Sequence, residues 1–585
     1  MMRSTFAGFT TAFLGMTASH RALEVTGQNI ANVNTEGYTR QRLDITSMNL
    51  RSGDFYNNNP NAKIGFGVDI KSVSRIRDPF LDIQYRTQMS KLGTTDAHMS
   101  GYEKLADILD ETTLSGVRDA LKDLNSQLQA LHSNASEREY DSMVRSSAQN
   151  LLNLFHQDAQ RLQEVREELA NEFQDTTIKD LNNLLKNIGE LNETIKNSHI
   201  VGNPALELMD QRDLLIDELS SYLPITTNYW DREIAPGVTV EVLDINFIDS
   251  QGNQYTLIAD NKYGKFEADI SDNKDVKLSV RDAYLEEKDI TETIPNGVLK
   301  GTLDILNKSG DFDGTDVKGI GYYEKSLDNM VRELANMFND LNKACQTNAD
   351  GTVKFTYNAA TTAWPPKTNS SGQWVSDTGE LLYVEGTPDP VTGEPTYVVG
   401  SGTGNIVAMP VFTQGDPLYE DRPLFETTDG KDFNASNIKI ADAWSNGTYG
   451  ITTSKVPVIE DGKPVIGAKA NENVLKMIEA FNGTREFTNP DGSVLFYKGS
   501  YYDCFTNMEN VLAIDQKAAD NTLTNKISVI NQTADRRDSV SGVSLDEEGI
   551  NLLQYQQSYT AAARLMTTLD EALDKLINGT GVVGR

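Results

Sequence analysis

The segment FAGFTTAFLGMTASHRALEVTGQNI (Phe6–Ile30) holds the decision between a leader peptide, a core helix and an assembly helix. Phe6, Phe13 and His20 recur every seven residues, and so do Phe9, Met16, Leu23 and Ile30, displaced by three. Two seams offset in this way draw one apolar stripe along a helix, the pattern of helices that pack on other helices. Thr, Ser and Gly interrupt the run too often for the apolar core of a signal peptide, so the segment reads as uncleaved helix. The far end of the chain, LDEEGINLLQYQQSYTAAARLMTTLDEALDKL (Leu545–Leu576), repeats the device more strictly. Leu545, Leu552, Tyr559, Met566 and Leu573 form one seam, Tyr555, Ala562, Leu569 and Leu576 the other, and Gly579 and Gly581 follow as stop signals.

Between these ends the spacing predicts further long helices. Val117, Leu121, Leu124, Leu128 and Leu131 keep three-four spacing up to a break at HSNAS, where Ser136 and Glu139 offer a capping box. From Val144 to Ile195 the apolar period runs on, which predicts a helix of about 60 residues and roughly 90 Å. The four-residue step from Leu169 to Phe173 is a stutter that relaxes a left-handed supercoil. Leu327, Met330, Leu334, Met337, Leu341 and Ala344 mark another helix, and 500–540 a further one. Residues 229–300 alternate (Val238, Val240, Val242) and turn at DSQGN, the pattern of antiparallel strands. Residues 346–430 hold eight of the seventeen prolines and read as an inserted β domain. The expected fold is therefore mainly α with inserted β domains. Residues 1–50 and 545–585 would form a coiled-coil-like terminal assembly domain. Residues 51–228, 301–345 and 431–544 would form a long-helix body, with 229–300 and 346–430 as β-rich segments.

Composition narrows the function. The net charge of −32 disfavours phosphate-backbone binding, which needs clustered Lys and Arg, and likewise an anionic membrane surface. Four arginines face three acids in residues 1–50, so the excess lies on the middle of the chain and the ends are near neutral. No run of 18 apolar residues offers a membrane span. Cys345 and Cys504 are too few for a disulfide framework or a four-ligand zinc site and read as buried thiols. All five histidines lie within the first 199 residues, which leaves both β segments without a proton shuttle or imidazole ligand. GFGVD (Gly65–Asp69) and DFDGTD (Asp311–Asp316) are incomplete as a dinucleotide loop and a calcium loop. These residues nominate no catalytic, cofactor or metal site, and the chain reads as non-enzymatic. Trp364 and Trp374 keep open a second class, a secreted surface adhesin that binds through the 346–430 insert.

QNIANVNTEGYTRQR (Gln28–Arg42), followed by IGFGVDIKSVSRIRDPFLDIQYR, resembles the N-terminal region of the bacterial flagellar axial proteins, the rod, hook and hook-associated proteins. SGVSLDEEGINLLQYQQSYTAAARLMTTLDEALDKLING resembles their C-terminal region. The Gly37-Tyr38-Thr39-Arg40-Gln41 continuation, LELMDQRDLLIDELS (Leu206–Ser220) and the SGVSLDEE opening are similar to the hook-associated members at the hook–filament junction. A hook or rod protein is the rival within the family. The resemblance implies type III export, localisation to the flagellum, and assembly with copies of itself. It also implies contact with hook protein and a second hook-associated junction protein, and an export chaperone on the C-terminal helix. The expected assembly residues are Phe6, Phe9, Phe13, Met16, Leu23, Ile30, Leu552, Tyr555, Tyr559, Ala562, Met566, Leu569, Leu573 and Leu576. Asn29, Asn32, Asn34, Gly37 and Tyr38 are expected to build a structural turn. Beyond it, Thr39, Gln41, Leu43 and Ile45 are expected on one strand face and Tyr38, Arg40, Arg42 and Asp44 on the other.

Overall fold

The computed structural model describes residues 6–48, 65, 67–109, 116–202, 205–235, 238–271, 275–310, 317–349, 351–354, 417–460, 463–489, 492 and 495–579. Within 355–416 it describes the strand segments 367–368, 374–375, 382–385 and 396–399. The chain is mainly helical with β segments set between the helices. In order come α1 (Phe6–Ala31), β1 (Gln41–Ser47), β2 (Val68–Arg75), α2 (Pro79–Leu109), α3 (Val117–Ser133), α4 (Arg138–Glu172), α5 (Ile178–Ile200) and α6 (Leu206–Tyr222). Then follow β3 (Ile225–Ala235), β4 (Val238–Ile248), β5 (Gln254–Ala259), β6 (Lys262–Tyr263), β7 (Lys265–Ile270), β8 (Val276–Arg281) and β9 (Glu287–Asp289). The remaining helices are α7 (Val298–Asn307), α8 (Ile320–Leu341), α9 (Asp442–Ser445), α10 (Glu472–Asn482), α11 (Tyr501–Ser541) and α12 (Leu545–Asp574).

Two compact units share these elements. One comprises 1–101, 167–307 and 516–585; the other comprises 102–166 and 308–515. In the first, α5 buries Ile178, Leu181, Leu184, Leu185, Ile188 and Ile195 between α6 and the strands β4 and β7. β3–β4–β5–β6 and β7–β8–β9 are antiparallel sheets, the first buried on its Val240, Val242, Ile245 and Phe247 side chains. The DSQGN turn forms as read: Asp249 Oδ1 accepts from the Gln251 and Asn253 amides, and Gly252 takes a φ of +88°. In the second unit, α3 buries the predicted Val117, Leu121, Leu124, Leu128 and Leu131, and α8 buries Leu327, Met330, Leu334 and Met337.

The long helix departs from the simple period where the stutter falls. Between α4 and α5 the residues Phe173–Thr177 form a π-helical turn. A π turn widens the helix by one residue, which keeps Leu169, Phe173 and Ile178 all buried although Phe173 and Ile178 are five apart. The helix is therefore continuous but not uniform. Its start also differs: α4 begins at Arg138, so Glu137 takes the capping position and the Ser136–Glu139 pair falls one residue out of frame. The 346–430 insert contributes short antiparallel pairs, 382–385 with 396–399 among them, and its 419–421 strand pairs with 343–345 just before it. Trp364 lies outside the described residues, and Trp374 lies on a strand paired through Thr368.

Candidate assembly interface

The terminal helices α1 and α12 pair antiparallel. Gly8 faces Leu569, Gly15 faces the Ala562 methyl, the His20 ring lies 6.2 Å from that of Tyr559, and Asn29 meets Glu548. On α12 the predicted seam residues Leu552, Tyr555, Tyr559, Ala562, Met566, Leu569 and Leu573 are half-buried, whereas Leu545, which opens the seam, is exposed. On α1 the buried face is made of small residues instead: Ala12, Ala18, Ala22, Thr26 and Asn29. A bulky α12 seam leaves room only for a small-residue face opposite, because interiors pack to crystal density. The large α1 residues lie elsewhere. Phe13 is 54% exposed, and Phe9, Met16, Leu23 and Ile30 are half-buried. The Phe6 side chain lies outside the described residues, and Leu576, in a π turn that follows α12, is exposed.

The turn that leaves α1 is built around Asn29, which is 1% exposed. Its side-chain amide donates to the Gln41 carbonyl at 3.0 Å and to Glu548 Oε2 at 3.2 Å. Its Oδ1 accepts from the Gln41 amide at 3.0 Å and from the Tyr38 hydroxyl at 2.9 Å. All four hydrogen-bonding sites of this buried amide are used, which no residue without an amide can reproduce. Asn32 acts locally, donating to the Gln28 carbonyl and accepting from the Thr35 hydroxyl. Asn34 is exposed. Gly37 takes a φ of +75° with Leu214 in van der Waals contact, where a side chain would be strained. Burial and the nearby Asp210 and Glu207 carboxylates push the Tyr38 phenol well above its ordinary range, so it stays a donor.

Beyond the turn, three successive backbone amides are anchored to three elements. Thr39 donates to Asp210 of α6, Arg40 to the Ser541 carbonyl that ends α11, and Gln41 to Asn29 of α1. The Arg40 side chain then reaches α12, at 2.7 Å from Glu548 and 2.6 Å from Glu547. The expected strand alternation holds through Leu43 and fails at Ile45, which is 54% exposed. The β1–β2 register shifts between Asp44 and Ile45, and such a bulge rotates the strand.

Behind the turn lies a buried ion network that sequence reading missed as a site. Asp210, Asp213 and Asp217 sit at i, i+3 and i+7, on one face of α6. Arg75 Nη1 lies 2.8 Å from both Asp210 and Asp213; Arg77 bridges Asp213 and Asp82. Arg86 pairs Asp217 at 2.7 Å, and Arg537 of α11 pairs the other oxygen of Asp217. Burial alone would raise the Asp213 carboxyl, but Arg77, Arg75, Arg212 and Arg86 hold it below the usual carboxylate range. Burial outweighs the pairing at Asp210 and moves it upward. A cleft of about 610 Å³ opens between the 33–40 turn, α6 and the α11–α12 connection. Its lining is polar and ionic, with Arg77, Arg537, Asp213 and Asp217 already paired to one another. Among the described residues no group of His, Cys, Asp and Glu could hold a metal ion, and no helix is long and apolar enough to cross a membrane.

Known proteins resemble this chain at both ends and in its middle. The model for the flagellar hook-associated protein FlgK helical domain matches residues 102–354. The flagella basal body rod protein model matches 9–39, and the flagellar basal body rod FlgEFG C-terminal model matches 537–579. Flagellar hook-associated protein 1 of Bacillus subtilis is 29% identical over 608 residues, covering 100% of both chains. Along its whole length the chain is similar to flagellar hook-associated protein 1. Members from Salmonella typhimurium and Escherichia coli are 26% and 24% identical, each covering 97% of this chain and 98% of their own. The flagellar hook junction protein FlgK of Burkholderia pseudomallei aligns with a TM-score of 0.49 at 14% identity, over 78% of this chain and 100% of its own. Rod-protein models match the chain at its two ends, whereas the central match and the full-length relatives are hook-associated.

Proposed function

We propose that this chain is a structural subunit of the bacterial flagellum that joins hook to filament, and that it performs no catalysis. The observation that carries this reading is the end-to-end match to flagellar hook-associated protein 1 sequences. The geometry supports it physically. The α1–α12 pair buries its small face internally and leaves Phe13, Ile550, Leu553, Leu565 and Leu576 exposed, between 47% and 66%. Apolar side chains of this size along a paired helix are what adjacent copies of the chain would cover on assembly. In this reading Phe6, Phe9, Phe13, Met16, Leu23 and Ile30 face neighbouring subunits, and the α12 seam holds the subunit's own two ends together. The chain would reach its place by type III export, with a chaperone covering α12 beforehand. It would sit on hook protein, below a second junction protein.

The test is electron microscopy of a strain lacking the gene, complemented with the full chain or with a chain lacking residues 545–585. Intact hooks without filaments in the deletion, restored by the full chain and not by the truncated one, are expected. Loss of the hooks themselves would instead place the chain in the rod or hook. Filaments restored by the truncated chain would refute the role given to α12.

A further inference from the structure

The α1–α12 contact repeats itself, and something must choose among its repeats. Gly8 meets Leu569 and Gly15 meets Ala562, so a step of seven up α1 is a step of seven down α12. Both faces are heptad-periodic: Gly8, Gly15 and Ala22 on α1, and Leu569, Ala562 and Tyr555 on α12. Sliding α12 by one heptad therefore sets small residues against bulky ones again. Gly15 would face Tyr555 or Leu569 in place of Ala562. The apolar part of the contact discriminates weakly between these states, as it does in any strict heptad pairing.

Glu548 does not repeat. Among the described residues of α12 it is the most deeply buried, at 2% exposure. It receives Asn29 on one oxygen and Arg40 on the other, and Asn551 of its own helix also donates to it. A slip of one heptad moves its carboxylate about 10 Å along the helix. In one direction Glu548 would lie level with Ala22, with neither donor in reach. In the other it would lie past the end of α1 at Ala31, and Asn29 would face Tyr555. Either slip strands a buried charge or leaves the Asn29 amide without its partner, and both are costly. We infer that Glu548 is the register-determining residue of the terminal helix pair, selecting one antiparallel alignment from several that the apolar seams alone would permit. The three-residue connection Gly542–Ser544 between α11 and α12 is the competing determinant of register.

Disulfide trapping in the full-length chain separates the two. An ideal Cβ on Gly15 would lie 3.9 Å from the Ala562 Cβ, within the range a disulfide spans. Gly15→Cys with Ala562→Cys therefore reports the native register, and Gly15→Cys with Tyr555→Cys or Leu569→Cys reports the two slipped ones. Cross-links are mapped by mass spectrometry of the isolated chain, so the result stands apart from the filament assay. With Glu548 present, the native pair should form in clear excess over both slipped pairs. Glu548→Leu should lower the native-to-slipped ratio about tenfold or more, the scale of unpairing a buried charge. Glu548→Gln, which can still accept from Asn29, should fall between. An unchanged ratio in Glu548→Leu would overturn the inference and assign register to the Gly542–Ser544 turn. Equal loss of all three cross-links would also overturn it, since Glu548 would then hold the helices together without choosing their alignment. So would a parent chain without preference.

Discussion

Replacing Asp213 by Asn tests whether the buried ion network is the structural anchor of the turn. The side chain of Asp213 is 5% exposed and receives Arg75, Arg77 and the Tyr229 hydroxyl, with Arg86 at 3.8 Å. Asn keeps the shape and removes the charge. Unpairing a buried ion costs roughly 3–5 kcal/mol, and here each arginine retains a second carboxylate: Asp210 for Arg75, Asp82 for Arg77 and Asp217 for Arg86. The low end, about 3 kcal/mol, is therefore expected. At a urea dependence of about 2–3 kcal/mol/M, the unfolding midpoint of this unit should fall by about 1–1.5 M. Hydrogen–deuterium exchange of α6 peptides against urea isolates that unit from the other. The pH dependence supplies an internal control. The folded Asp213 carboxyl lies below its unfolded value, so its stabilisation is present above the ordinary aspartate range and is lost as pH falls through the folded value. The gap between parent and variant should thus be widest near neutrality and close on acidification. Asp210 shifts the opposite way but is present in both chains, so the difference between them reads Asp213. A gap under about 1 kcal/mol at neutral pH, or one that acid does not narrow, would refute the reasoning.

Three further outcomes are expected. Asn29→Ala should lower the melting temperature and expose α12 to protease, because it removes one donor from the buried Glu548 carboxylate and the side-chain partner of the Gln41 amide and carbonyl, whereas Asn32→Ala should cost under about 1 kcal/mol. Gly297→Ala should cost about 4 kcal/mol or more and reduce the soluble yield, since φ is +110° and a Cβ would lie 2.1 Å from the Tyr222 carbonyl oxygen; Gly252→Ala, with φ +88° and open space around it, should cost about 1–2 kcal/mol in a thermal melt. Native protein should leave a thiol reagent unconsumed over minutes and release two equivalents on unfolding, because Cys345 and Cys504 are free and buried, and burial pushes both thiols upward.

Much of this architecture is legible from periodicity, and its failures have physical causes. On α12 the seam residues from Leu552 to Leu573 are half-buried, whereas Leu545 and Leu576 at its two ends are exposed. On α1 the large residues draw the eye, yet a bulky partner requires a small-residue face, and alanine and glycine carry little hydrophobic signal. The stutter at Leu169 was visible as a spacing, but not as the π turn that absorbs it. Ile45 escaped because alternation assumes an unbroken register. Asp210, Asp213 and Asp217 lie on a readable helical face, but their partners come from β2, α2 and the distant Arg537, a proximity that no local pattern contains.

The three anchored amides at Thr39, Arg40 and Gln41 bear on how force would travel through the subunit. Adjacent residues at the start of β1 are fastened to α6, α11 and α1, with Glu548 of α12 holding the side chain of the middle one. A pull on either terminal helix therefore reaches this stretch of chain, where α1, α6, α11 and α12 are all fastened. Rupture under load is governed by the unfolding rate, so a knot of this kind should yield late. Bending in a turning flagellum would then be taken up outside residues 38–41, and the turn would act as a fixed fulcrum.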